Sequence, residues 1–232
     1  AQSMPTTQVA IAIAIAVIGF IAYALWERTT DHPMTPPRLA HNRPFVGLNI
    51  ATLLIYWGLA QMFFLLPFDL VDRRGLTPAA AGAVFLPFTL AVGLLSRPFG
   101  AVADAIGARL MLIIGPLAAA LACLWFAFGQ QMSVTWGVIA PMALLGIAFA
   151  VLIAPLTASL LSSVSESDQG LASGLNNAAS RIAQLAGVSL AAGIGALASG
   201  YQLGLIAAAA LSIAGALTIA LTAPKTPPRR KP

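Results

Sequence analysis

The chain has 232 residues, of which 59% are hydrophobic and only 8% charged, with a mean hydropathy of +0.89 and a formal net charge of +5. A soluble domain carries about 25% charged residues, so the composition points to a polytopic membrane protein and away from a soluble enzyme. The single cysteine, Cys123, lies inside an apolar run and excludes an intramolecular disulfide framework or a Cys-based zinc site. The basic residues fall between apolar runs or in the C-terminal tail, a pattern of membrane topology and not of nucleic-acid binding.

The first residue is Ala, and no basic segment precedes the first apolar run, which therefore does not read as a secretory signal. A missing initiator Met points to a fragment or a processed product. Seven runs approach or exceed the ~20 apolar residues that span hydrocarbon. They cover about 8–25, 45–68, 79–97, 108–128, 134–157, 172–198 and 201–222. Barrel strands would be shorter and would alternate in polarity, so the expected fold class is all-α: a polytopic helical membrane bundle.

Seven spans put the termini on opposite sides. One set of loops and ends holds Arg28, Arg38, Arg43, Arg97, Arg109, Lys225, Arg229, Arg230 and Lys231, with Arg181 inside the 172–198 run near its end on that side. The other side holds only Arg73 and Arg74, and this bias of ten to two places the 97–109 turn and the C-terminus in the cytoplasm.

Residues 1–26 are expected to form an extra transmembrane helix without a polar face, and 27–44 a cytoplasmic linker with four prolines. His32 and His41 lie in that linker without partners at metal-ligand spacing and read as solvated. Residues 45–222 form a six-helix unit, and 223–232 a cytoplasmic tail. In the 45–68 run, Asn49, Tyr56, Trp57 and Gln61 are polar or amphipathic groups that should face protein or a water-filled cavity. Asn49 and Tyr56 fall within about 20° of each other on a helix. Hydrogen bonding between helices and a cavity wall for an amphipathic substrate both remain open.

Asp69, Asp72, Arg73 and Arg74 then read as a solvated loop, and Thr77–Pro78 as an N-cap and first helical position. Pro87, Pro116, Pro141 and Pro155 lie within spans, where kinks are the usual result. The turn RPFGAVADAIGAR, from Arg97 to Arg109, has a logic of its own. Pro98 is expected to stop one helix, and Gly100 and Gly107 allow close backbone packing. Asp104 is expected near the N-terminus of the next helix, favourably placed for its dipole and within reach of an Arg. In the 172–198 run, Ser173, Asn177, Ser180 and Gln184 recur at i, i+4, i+7 and i+11 as one stripe, flanked by Asn176 and Arg181. Such a stripe reads equally as the lining of an inner vestibule or as helix–helix hydrogen bonding. Ser165 and Asp168 form a capping box ahead of it.

The spacing Gly100, Asp104, Gly107, Arg109 resembles the cytoplasmic signature loop of the major facilitator superfamily, G-x-x-x-D-x-x-G-x-R. The string GLASGLNNAASRIAQLAGVSLAAGI is similar to the penultimate helix of fourteen-spanner drug/proton antiporters of that superfamily. The first helix and linker resemble the junction before their C-terminal six-helix domain. The resemblance implies one extra spanner plus the C-terminal six-helix half of a major facilitator fold, with the inverted three-plus-three repeat such halves carry. It implies a conformational latch made by Gly100, Asp104, Gly107 and Arg109 with Arg97, against the alternative of a plain tight turn.

It further implies export of hydrophobic or cationic drugs by alternating access in a bacterial plasma (inner) membrane. The energy source would be the proton gradient, with no bound cofactor. The partners would be the lipid bilayer, small hydrophobic or cationic substrates and a missing N-terminal transporter half, and not nucleic acid. No carboxylate lies mid-span, so proton coupling is expected from that half. A half-size protein that homodimerises around a transport or channel cavity is the alternative. The spans hold neither His nor paired carboxylates, which argues against an enzyme.

Overall fold

A computed structural model describes residues 14, 15, 18, 19, 21, 22, 25, 26, 29, 30, 37–195, 197 and 199–223. The chain divides into two compact units, Ala1–His41 and Asn42–Pro232. In the first unit the described residues between 14 and 29 are helical, and a short helix covers Pro37–Ala40. Most of the expected extra spanner and linker, and the tail beyond residue 223, lie outside the described residues.

The described residues of the second unit are helices joined by short turns. α1 (Arg43–Phe68) starts where the Asn42 side chain accepts from the Phe45 amide at 3.2 Å, with Pro44 in the first turn, and it continues through one wider π-type turn, Asp69–Arg73. Thr77 caps a short helical segment, Pro78–Ala83, which leads into α2 (Leu86–Ile106). α3 covers Ala108–Phe128, and α4 covers Ala140–Ser162 after a π-type turn at Thr135–Ile139. α5 (Gln169–Gly195) and α6 (Gly200–Thr222) complete the bundle. Among the described residues there is no strand.

One expectation needs correction. Pro98 does not stop α2, which runs on to Ile106. A proline in a helix removes one backbone bond, and membrane helices tolerate that loss where neighbouring groups re-satisfy the freed carbonyl. Asp104 therefore lies in the last turn of α2 and not in the first turn of α3. Among the described residues, five stretches are long and apolar enough to cross a membrane: Arg43–Arg73, Pro78–Ile106, Ala108–Gln131, Thr135–Ser162 and Gly200–Thr222. α5, which covers most of the 172–198 run, also has the length to span, with 27 residues, and it carries the polar stripe.

The packing has an internal symmetry. α1 packs on α5 and α6, α4 packs on α2 and α3, and α3 packs on α6. Exchanging α1 with α4, α2 with α5 and α3 with α6 returns the same set of partnerships. The start of α1 lies beside the end of α4, where Asn42 Nδ2 donates to the Ser163 carbonyl at 2.6 Å, so the two triplets enter from opposite ends. This is the pattern of an inverted three-plus-three repeat. Small residues make the crossings close: a Cβ at Gly187 of α5 would lie 2.5 Å from the Trp57 carbonyl of α1.

Candidate functional site

At one end of the bundle a single residue joins α2 to α3. Gly107 has φ 99° and ψ 130°, a conformation that side chains disfavour. It caps both helices, so the link is as short as a connection between antiparallel helices can be. Gly100 faces the Ala154 methyl of α4, with 3.5 Å between that methyl and the position a Cβ would take. Arg109 reaches across to α6, and its Nη2 donates to the Ala220 carbonyl at 2.6 Å. Asp104 and Arg97 are exposed, and neither makes an ion pair among the described residues. The turn thus leaves one carboxylate and one guanidinium facing outward, while Arg109 is tied to its own bundle.

The polar residues of α1 divide between different neighbours. Asn49 Nδ2 donates back to the Phe45 carbonyl, and Asn176 of α5 donates to Asn49 Oδ1 at 3.2 Å and Thr52 Oγ1 at 2.9 Å. Gln61 is fully buried, and its Nε2 donates to the Gly204 carbonyl of α6 at 2.9 Å. Asn49 and Gln61 therefore hold α1 against α5 and α6. The Gln61 Oε1 and the Trp57 Nε1, one turn apart, are buried without a hydrogen-bond partner among the described residues.

Tyr56 faces a different neighbour. Its ring meets Phe149 of α4 edge-on at 6.0 Å; Phe149 lies 5.7 Å from Phe88 of α2, and Phe88 lies 5.1 Å from Phe63 of α1. These four rings form a continuous aromatic cluster joining α1, α2 and α4. The sequence reading identified Tyr56 but missed Phe63, Phe88 and Phe149. The spacing of Tyr56 and Phe63, seven residues apart on one helix face, was the available signal.

The α5 stripe is the outward part of this half. Ser173, Asn177 and Arg181 are exposed, and Ser180 and Gln184 are half-buried. Ser180 Oγ donates to the Asn177 carbonyl at 2.8 Å. The face that packs inward carries Ala172, Ala183, Gly187 and Ala191 instead. Arg181 stands at the middle of Gln169–Gly195, not near its end as the sequence suggested. α2 is similarly open, with Ala103 as its one buried residue.

At the opposite end the charge cluster departs from the solvated loop expected of it. The Asp69 side chain is 2% exposed and receives Arg73 Nε at 2.5 Å and Arg74 Nε at 3.0 Å. Arg74 also donates to the carbonyls of Met132 (3.0 Å), Gln130 (3.1 Å) and Gly129 (3.4 Å), closing the C-terminal end of α3. Arg73 donates to the Gln130 side chain and lies 5.6 Å from the centre of the Tyr201 ring. The network therefore joins the ends of α1 and α3 to the start of α6.

These helices define an all-α integral membrane protein. The chain belongs to the major facilitator superfamily, whose model, described as Major Facilitator Superfamily, matches residues 48–232. It is 29% identical over 185 residues to a lincomycin resistance protein of Streptomyces lincolnensis, covering 80% of this chain and 38% of that one. It is 31% identical over 189 residues to the multidrug export protein EmrB of Haemophilus influenzae, covering 80% of this chain and 36% of the relative. With the multidrug resistance protein Stp of Mycobacterium tuberculosis it shares 28% over 176 residues, 75% of this chain and 32% of that protein. The matches thus span roughly a third of each of these relatives.

Proposed function

We propose that this chain is the C-terminal part of a proton-coupled exporter of hydrophobic or cationic drugs that works by alternating access, and that it is a transporter and not an enzyme. Arg181 carries the reading. A guanidinium at the middle of a long helix, exposed beside Asn177 and Ser173, is costly in contact with lipid. It therefore calls for a water-filled cavity or a protein partner against this face. A missing N-terminal half would supply the other wall, with the stripe Ser173, Asn177, Ser180, Arg181 and Gln184 lining the cavity. The aromatic cluster around Tyr56 offers flat apolar surface for a hydrophobic substrate. The names of the relatives, two resistance proteins and one exporter, support the drug-efflux class.

The one-residue turn at Gly107 would act as the latch. Asp104 and Arg97, free of partners among the described residues, would engage the missing half in one state, while Arg109 keeps the turn fixed to α6. The membrane would be a bacterial plasma membrane, with this turn and the C-terminus in the cytoplasm. A second copy of the chain would satisfy the same exposed stripe, which is the homodimer alternative. The test is efflux of a fluorescent lipophilic cation from cells expressing the complete transporter, with Arg181→Ala and Asp104→Asn variants. The reading expects loss of efflux with normal expression, and loss on collapsing the proton gradient. Efflux that ignores the gradient and both substitutions would overturn it. Crosslinking between differently tagged copies distinguishes the homodimer.

A further inference from the structure

The end of the bundle away from Gly107 holds a cavity of about 800 Å³ formed by the ends of α1 and α5 and the start of α6. Its volume falls within the range of small-molecule sites, about 300–1,000 Å³. Its floor is apolar, made by Leu65 and Ala191. Phe64 and Phe68, with ring centres 5.3 Å apart, form one wall. Its lip is charged, with Asp72 and Arg73 one residue apart in the π-type turn. The rim carries Phe68 and Leu197, 55% and 56% exposed.

Depth and charge together select the occupant. α1 with its terminal turn is 31 residues long, and such a helix extends about 45 Å, beyond a hydrocarbon core of about 30 Å. With this span centred in the bilayer, the lip lies at the headgroup layer and the floor in hydrocarbon, with the exposed apolar rim between them. The charges at the lip balance but are separated. Asp69 is shared by Arg73 and Arg74, whereas Asp72 is exposed and makes no ion pair among the described residues. Arg73 commits Nε to Asp69 and Nη1 to Gln130, and its Nη2 makes no hydrogen bond among the described residues. A free organic cation would meet Asp72 but also the adjacent guanidinium. A headgroup carrying both a phosphate and a primary ammonium complements both charges.

We propose that this cavity is a specific site for an ethanolamine-type phospholipid. Its phosphate is held by Arg73, its ammonium by Asp72, and the upper part of one acyl chain lies along Phe64 and Phe68. The site is separate from the polar stripe of α5 and from the aromatic cluster at Tyr56, and it does not depend on the direction of transport. The test uses the complete transporter, purified and exchanged into nanodiscs of phosphatidylethanolamine, phosphatidylcholine or a mixture, then released into a native mass spectrometer.

The wild-type protein should retain phosphatidylethanolamine over phosphatidylcholine by about tenfold, the scale of one charge-assisted hydrogen bond. Asp72→Asn, which touches no bonded group, should abolish that preference without abolishing lipid retention. Ala192→Trp, on the exposed side of the cavity, should expel the retained lipid of either kind while leaving every charge in place. Equal retention of the two lipids by the wild type would overturn the proposal, as would a preference that survives Asp72→Asn. Displacement of the bound lipid by tetraphenylphosphonium that is itself lost in Asp72→Asn would assign the cavity to an organic cation instead.

Discussion

Arg109, in the first turn of α3, and Ala220, in the last turn of α6, are joined by a 2.6 Å hydrogen bond from guanidinium to main-chain carbonyl. The last four carbonyls of a helix have no partner within it, and a cation there also complements the helix dipole. A residue that the family motif marks for the α2–α3 turn thus holds the end of another helix. Arg109→Ala should destabilise the protein by about 1.5–3 kcal/mol, the range for a hydrogen bond to a charged group. Arg109→Lys should recover part of this. Thermal unfolding in detergent measures both, and equal midpoints for the wild type and Arg109→Ala would show that the bond does not form in the membrane protein.

Asp69 and Asp72 lie three residues apart but have opposite surroundings. Asp69 is buried between two guanidinium groups, and the Arg74 side chain is only 10% exposed. Removing one partner of a buried ion pair leaves the other charge uncompensated, at a cost of about 3–5 kcal/mol. Asp69→Asn should therefore lower the yield of folded protein and its unfolding temperature, while Asp72→Asn should leave both near wild type. A similar loss in the two variants would contradict the assignment of Asp69 as the buried member.

Gly187 sets how closely α5 approaches α1, since a Cβ there would meet the Trp57 carbonyl. Gly187→Val should cost about 1–3 kcal/mol, as expected for overpacking. It should also pull Asn176 away from Asn49 and Thr52. A short bifunctional thiol crosslinker between cysteines placed at positions 49 and 176 reports the separation. It should join them readily in the Cys123→Ser background and poorly when Gly187→Val is added.

The helical spans were largely legible in the sequence, because unbroken apolar runs bounded by Gly, Pro and charge need no tertiary information. α3 occupies the expected 108–128, with Gly107 before it and Gly129 after it. The reading failed where burial comes from distant chain. Asp69, Arg73 and Arg74 look like a solvated loop until the carbonyls of 129–132 are placed beside them. Pro98 misled through a rule suited to soluble helices, and that one misplaced boundary moved Asp104 from a helix start to a helix end. Among the candidate cavity residues, Asn49 and Gln61 proved to be bonded to neighbouring helices, whereas the outward Ser173, Asn177 and Arg181 were identified with no means of telling which way they faced.

The aromatic cluster joins the two triplets through Phe88 and Phe149. If hydrophobic substrates lie against it, Phe88→Ala should weaken export of aromatic cations more than that of aliphatic ones, with expression unchanged. Half-maximal inhibitory concentrations for paired aromatic and aliphatic quaternary ammonium compounds provide the readout, and equal shifts for both would argue against a substrate contact.

The most direct test of the account is the solvent exposure of the α5 stripe in the complete transporter. Single cysteines are introduced at Asn177, Arg181 and, as a control, Ile182, which is 60% exposed and lies about 140° round α5 from Asn177, all in the Cys123→Ser background. They are then reacted with a hydrophilic maleimide in native membranes. The account predicts fast labelling at 177 and 181, slow labelling at 182, and protection of the first two by a transported cation. Uniformly slow labelling at all three positions would contradict it, because the stripe would then be sealed in protein and would line no cavity.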